Sequence, residues 1–255
     1  MSSILSVSNI SKEYDRQSVK ALNDVSFECN KGEIVSVVGS SGCGKSTLLK
    51  LISGLEIPDN GKIILKDTIV NDRSVFVRPE KRDCDIVFQD FSLFPNMTIS
   101  ENIYFGINAH NNKSMINELI ALTDIFDILS RYPHQVSGGQ QQRTALVRAL
   151  ANNPALLLMD EPLSHLDSAL KESVRNELIT ILKKLEMTVL IVTHDSEDAL
   201  TISDKTIVLN EGRLEQLDTP KDIYRYPKSE YAARLFGKTN ICLLYTSPSP
   251  RDSDT

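Results

Sequence analysis

Ile34-Val35-Ser36-Val37-Val38-Gly39-Ser40-Ser41-Gly42-Cys43-Gly44-Lys45-Ser46-Thr47-Leu48 decides the fold. Its first five residues form a nearly continuous apolar run, the pattern of a strand buried on both faces. Gly39 to Thr47 then fits GxxxxGK[ST], and Leu48, Leu51, Ile52 and Leu55 follow at helical spacing, with Gly54 placed to stop the helix. Strand, glycine-rich loop and helix in that order are the context a phosphate-binding loop requires. Glycines allow backbone N–H groups to close around β- and γ-phosphates, and the helix N-terminus adds partial positive charge. Lys45 is suited to neutralise the phosphate oxygens, and Ser46 to bind Mg2+. Kinases and GTPases share this pattern, so it sets a class, the P-loop NTPases, and no more.

The rest of the chain agrees with that class. Ala155 to Met159 and Val189 to Val192 are further buried-strand runs. Between them Leu170, Val174, Leu178, Ile181, Leu182 and Leu185 share one helical face. Upstream, Leu5 and Val7, then Val25, Phe27 and Cys29, read as short strand pieces, and Asn30-Lys31-Gly32 as a turn. Strands alternating with helices predict an α/β fold with a parallel sheet and helices on both faces. From about 90 to 152 the patterns are helical without a buried-strand run, which predicts an inserted helical subdomain.

Two more sites carry chemistry. The strand at 155–159 ends in Asp160-Glu161, at the sheet edge where α/β folds bind ligands. Asp160 is placed to hold Mg2+ and Glu161 to activate a water as general base. Taken alone, the pair reads equally well as two solvated acids. Ser137-Gly138-Gly139-Gln140 opens a helix carrying Ala145, Leu146, Ala149 and Leu150, which makes a second anion site of backbone N–H groups and a hydroxyl. Taken alone, this is a helix cap. Two phosphate sites with one lysine-bearing loop imply that each ATP is shared between two chains.

Composition bounds the alternatives. The 255 residues are 41% hydrophobic and 24% charged, an ordinary globular balance. A net charge of −6 disfavours a nucleic-acid partner. No apolar run reaches the roughly 18–20 residues that span a bilayer. No leader is read at Met1 to Asp15, and Cys29, Cys43, Cys84 and Cys242 show no metal-binding spacing. A reduced cytosolic protein is expected, with any membrane role supplied by a partner.

With the loop at 39–47, Ser137-Gly138-Gly139-Gln140 and Asp160-Glu161 in that order, the chain resembles the ATPase subunits of ABC transporters over about residues 4 to 240. The resemblance implies a RecA-like P-loop core, an N-terminal antiparallel β subdomain and a helical signature subdomain. It implies ATP and Mg2+ as cofactors, with nucleotide contacts from Tyr14, which matches the ring that stacks on adenine, from Gly39 through Thr47, and from Ser137 through Gln140. Gln89, in Val87-Phe88-Gln89-Asp90, matches the glutamine that senses Mg2+ and the membrane subunit, joining Ser46 and Asp160 as metal ligands. His194, alone a common strand-end histidine, matches the switch residue at the γ-phosphate and joins Glu161, Lys45 and Gln89 as catalytic. Ser164-His165-Leu166-Asp167 matches the loop that crosses to a partner subunit. Val136 replaces the usual leucine before the signature, and His165 stands where a small residue is usual.

Phe88 to Thr98 and Glu101-Asn102-Ile103 resemble importers for iron(III), polyamines, sulfate and sugars, while Tyr132-Pro133-His134-Gln135 leans toward the iron(III) and polyamine branches. The implied partners are a second ATPase chain, membrane permease subunits and, indirectly, an extracytoplasmic substrate-binding protein, at the cytoplasmic face of the inner membrane. Phe88 to Phe94 is expected to line a groove for a permease helix; otherwise these rings are core. Two readings compete with the importer. An ABC-type ATPase of DNA repair or translation is disfavoured by the single cassette and by the spacing of about 90 residues between loop and signature. A P-loop kinase is disfavoured by Ser137 to Gln140. The cassette is expected to occupy 1–240. Cys242 to Asp252 matches the translation of a transposase adapter used in DNA sequencing, so 241–255 is expected to be an artefactual, disordered tail standing where such importers continue into a β-rich domain.

Overall fold

The computed structural model describes residues 2–14, 19–106, 113–164 and 168–237. His165, Leu166 and Asp167 of the expected crossing loop, and the expected tail at 241–255, lie outside the described residues.

Strands β1 (Ser3–Tyr14) and β2 (Val19–Asn30) lead to β3 (Ile34–Val38), and the glycine-rich loop follows into α1 (Lys45–Ser53). Gly54 ends α1 with φ of 83°, a left-handed cap donating its N–H to the Leu51 carbonyl. Next come β4 (Asn60–Leu65), β5 (Thr68–Asn71) and β6 (Cys84–Val87). The helices α2 (Ile99–Ile103), α3 (Lys113–Leu122) and α4 (Gly138–Leu150) follow, with no strand between them among the described residues. The chain then alternates through β7 (Leu156–Asp160), α5 (Ser168–Lys184), β8 (Val189–Thr193), α6 (Ser196–Ile202), β9 (Lys205–Asn210) and β10 (Arg213–Asp218), and closes with α7 (Pro220–Arg225) and α8 (Glu230–Phe236).

Two sheets result. The first is antiparallel, in the order β2-β1-β4-β5; the second has the order β10-β9-β3-β8-β7-β6. All neighbours in the second sheet run parallel except β10, which pairs antiparallel with β9 at one edge. The expected α/β class with a parallel core sheet is therefore present, with an antiparallel edge strand.

Alternate residues of the central strands point to opposite faces, as a period of two requires. Ile34, Leu157, Met159, Val189 and Ile191 join one core with α4 and α5. Val35, Val37, Leu156, Leu158, Leu190 and Val192 join another with α1 and the antiparallel sheet. Both faces are covered, which explains why these strands read as continuous apolar runs rather than alternating ones. The registers Val38↔Thr193, Asp160↔Val192 and Val87↔Met159 bring the carboxyl ends of β3, β8, β7 and β6 level. Everything that follows each strand is delivered to one edge.

Candidate functional site

The loop after β3 is shaped by contacts that only glycine allows. A Cβ on Gly39 would meet the Leu209 carbonyl oxygen at 2.2 Å, and one on Gly44 the Ala21 carbonyl oxygen at 2.2 Å. Gly44 also has φ of 108°, and it turns the chain into α1. Cys43 is buried and donates its N–H to the Ser40 carbonyl at 3.2 Å. Lys45 is only 6% exposed, and its Nζ donates to the Gly39 and Ser40 carbonyls at 2.8 and 2.9 Å. The Ser40 N–H donates to the Tyr231 hydroxyl of α8 at 2.7 Å. Ser41, Gly42 and Ser46 are exposed on the outer side, and Thr47 is half-buried.

At the end of β7, the Ser46 hydroxyl donates to Asp160 Oδ1 at 3.3 Å. Burial pushes the Asp160 carboxyl above its ordinary range, and the neighbouring Glu161 charge adds to this against the Ser46 hydrogen bond. A half-buried carboxylate with a serine hydroxyl beside it offers two oxygens that fit a divalent cation. No group of three or more His, Cys, Asp or Glu side chains among the described residues could cage a metal. Gln89 is exposed just past the end of β6, two strands from β8.

Glu161 adopts φ of 46°, a conformation costing a non-glycine residue about 1–3 kcal/mol and typical of functional sites. Its N–H donates to the Val192 carbonyl at 2.8 Å, and its carbonyl accepts from the Ser164 hydroxyl at 2.9 Å. Its Oε2 lies 2.8 Å from His194 Nδ1, so the acid at the end of β7 and the histidine at the end of β8 form one unit. Facing a carboxylate, Nδ1 is the protonated nitrogen.

Tyr14 is 43% exposed, with its hydroxyl bonded to Glu56 and Lys12 Nζ 5.6 Å from its ring centre. Burial and then Glu56 raise that hydroxyl above the ordinary tyrosine range, while a hydrogen bond with Thr47 opposes them. The ring is thus held beside the loop-bearing helix.

Ser137 caps α4 in a reciprocal capping box: its hydroxyl accepts from the Gln140 N–H at 3.3 Å, and Gln140 Oε1 accepts from the Ser137 N–H at 3.0 Å. Ser137 and Gly138 are exposed and Gly139 is buried. No hydrogen bond or ion pair among the described residues joins Ser137 to Gln140 with residues 39–47. The two helix ends are therefore separate within one chain.

Among the aromatics after Gln89, Phe91 sits 7% exposed in the core beneath α4, so it is not a groove residue. Phe91 and Ser92 both have positive φ (59° and 44°), and Arg148 of α4 donates to their carbonyls at 3.0 and 2.7 Å. Phe91→Asp is expected to destabilise the chain by more than the roughly 3–5 kcal/mol of a Phe→Ala core truncation. Thermal melting checks this; an unchanged midpoint would remove Phe91 from the core. Phe105, by contrast, is exposed, 4.3 Å between centres from Phe94.

Two residues hold the site in ways that the sequence motifs do not reveal. Asn102, fully buried, accepts from the Phe94 N–H at 2.8 Å and donates to the Phe94, Met97 and Thr98 carbonyls, fixing the segment after Gln89. Arg82, 5% exposed, donates to the Leu51 and Ile52 carbonyls at 2.8 and 2.6 Å, satisfying the end of α1. The available signal is a polar residue inside an apolar helical pattern for Asn102; for Arg82 there is none.

The chain matches the family model described as ABC transporter over residues 22–164. It is 45% identical over 86% of its length to a sulfate/thiosulfate import ATP-binding protein, CysA 2, of Chromobacterium violaceum. It is 40% identical over 94% of its length to the spermidine/putrescine import ATP-binding protein PotA of Bacillus cereus. The chain spans 60% of the first relative's length and 73% of the second's. Among solved structures, CbiO1 from Clostridium perfringens, part of the ABC transporter complex CbiONQ, superposes with a TM-score of 0.78 at 25% identity, covering 89% of this chain and 93% of that one. The ATP-binding cassette MJ0796, dimeric and bound to ADP and Pi, superposes with a TM-score of 0.71 at 30% identity, covering 85% and 98%.

Proposed function

We propose, from the premise that the chain belongs to the ABC transporter family of ATP-binding proteins, that it hydrolyses Mg-ATP to drive an importer, with two copies sharing each nucleotide. The observation that carries this reading is the convergence of Lys45 and Ser46, Asp160 and Glu161, and His194 on one sheet edge, with Ser46 3.3 Å from Asp160 and Glu161 2.8 Å from His194. ATP phosphates take the place of the Gly39 and Ser40 carbonyls as acceptors for Lys45. Ser46 and Asp160, with Gln89, are the residues that would hold Mg2+, whose charge would neutralise phosphate oxygens. Glu161 takes the proton of the water that attacks the γ-phosphorus as the bond to ADP breaks. His194 holds the Glu161 carboxylate and reaches toward the γ-phosphate. Tyr14 supplies the adenine platform. Ser137 to Gln140 serve the nucleotide of a second copy, a reading supported by the dimeric relative. The cassette spans 1–240 with its helical part at about 90–152.

A polyamine is the substrate supported by the spermidine/putrescine relatives. The chain acts at the cytoplasmic face of the inner membrane through a permease; no helix among the described residues is long and apolar enough to cross a membrane itself. A groove of about 510 Å3, lined by Leu55, Arg82, Asp85, Phe88, Phe105 and Pro154 among others, is the docking place for the permease. Cells carrying Glu161→Gln are expected to lose labelled spermidine uptake while keeping sulfate uptake; the reverse would assign the sulfate branch. A Phe105→Cys chain is expected to crosslink to the permease and a Phe126→Cys chain, exposed elsewhere, is not. Equal capture by both would remove the groove from the interface.

A further inference from the structure

A second cluster of charges lies behind the site, between α5 and α6. Lys171 contacts the carboxylates of Asp195 and, at 2.9 Å, Asp198. One turn along α5, Arg175 donates from Nη2 and Nε to Asp198 Oδ1 at 2.7 and 2.8 Å, and from Nη1 to Glu197 at 3.2 Å. Asp198 and Arg175 are almost fully buried, so the centre of the cluster is shielded from solvent, while Glu197 lies exposed at its rim. Among the described residues no hydrogen bond or ion pair joins this cluster to the loop at 39–47, and the hydrolytic reading assigns it nothing.

Their placement relative to His194 is what matters. Asp195, the next residue, donates its N–H to the Thr193 hydroxyl at 3.0 Å and caps α6 by accepting the Glu197 N–H at 2.8 Å. Lys171 grips that same carboxylate. His194 is thus fastened on its carboxyl side by a residue that α5 holds from outside, while its ring meets Glu161. Burial pushes the Asp195 carboxyl up, and the Lys171 hydrogen bond and α6 amides outweigh it, leaving it below the ordinary carboxylate range. On the α6 side the cluster takes in the cap and first turn, the residues that directly follow His194.

We infer that Lys171 and Arg175 are positioning residues that hold His194 in register with Glu161 through Asp195 and Asp198. The inference rests on the hydrolytic reading of the Glu161–His194 pair. Its test is a double-variant cycle in ATP hydrolysis on the full chain, using His194→Ala, Lys171→Met and the two combined, with Lys171→Arg as rescue. Misplacement of a catalytic group by about 1 Å can cost 10²-fold, so Lys171→Met is expected to lower kcat by about 10–10²-fold with the KM for ATP little changed. Lys171→Arg should recover most of it. Added to His194→Ala, the same change should cost less than about twofold more, because groups acting as one unit are not additive. Asp195→Asn keeps the helix cap and removes only the charge, so it gives the same reading should Lys171→Met fold poorly. Losses that multiply in the combined variant, or a normal kcat in Lys171→Met, would overturn the inference and leave the site reading standing. A normal kcat in His194→Ala would overturn both.

Discussion

Replacing Glu161 by glutamine is expected to reduce steady-state phosphate release by about 10²–10⁴-fold, the usual worth of a general base, with ATP affinity unchanged. The geometry makes this substitution cleaner than most. Glutamine has the shape of glutamate, and its Oε1 can still accept from His194 Nδ1, 2.8 Å away in the parent. The backbone at φ of 46° is held by the Val192 carbonyl and by the turn to Ser164, neither of which involves the side chain. What disappears is the proton acceptor alone. Asp160 is no substitute, because it is committed to Ser46 and burial disfavours its charged form. Phosphate release and fluorescent-nucleotide binding, measured on the same preparation, check the two halves separately. Release at near the parental rate would take the catalytic role away from Glu161.

What the sequence makes legible here is what is local. The strand before the phosphate loop, the loop, the stop of α1 at Gly54 and the amphipathic face of α5 are each written in fewer than twenty consecutive residues, and each lies where the spacing places it. The class of fold follows from stringing such pieces together. The edge strand β6 is not legible, because only Val87 of its four residues is buried and no apolar run announces it. Phe91 reads as one of several aromatics beside Gln89, and only the packing of α4 over it separates a core ring from the exposed Phe105. The arginines that cap carbonyls, Arg82 on α1 and Arg148 on Phe91 and Ser92, act across 30 or more residues of sequence, where periodicity carries no information. The same holds for Glu161 and His194, 33 positions apart, whose meeting depends on β7 and β8 being neighbours. Resemblance to a family supplies those residues by motif; their mutual geometry comes only from the fold.

The last expectation uses two dead chains to make a live one. In a Lys45→Ala chain the phosphate loop loses the ammonium that now holds the Gly39 and Ser40 carbonyls, so its own ATP site fails while its Ser137 end is intact. In a Ser137→Arg chain the loop is intact and the exposed end of α4 is blocked, at a capping cost of about 0.5–2 kcal/mol that a folded domain tolerates. Each chain alone should be inactive, since both sites of a symmetric dimer then contain the defect. In a mixed dimer one site combines both defects and the other combines neither. If a 1:1 mixture pairs at random and sites act independently, hydrolysis should recover to about one quarter of the parental rate, half the dimers being mixed and each keeping one of two sites. Sites contained within single chains would give no recovery at all. A Ser137→Arg chain that hydrolyses ATP normally by itself would exclude the end of α4 from the site, and with it the argument that two copies share each nucleotide.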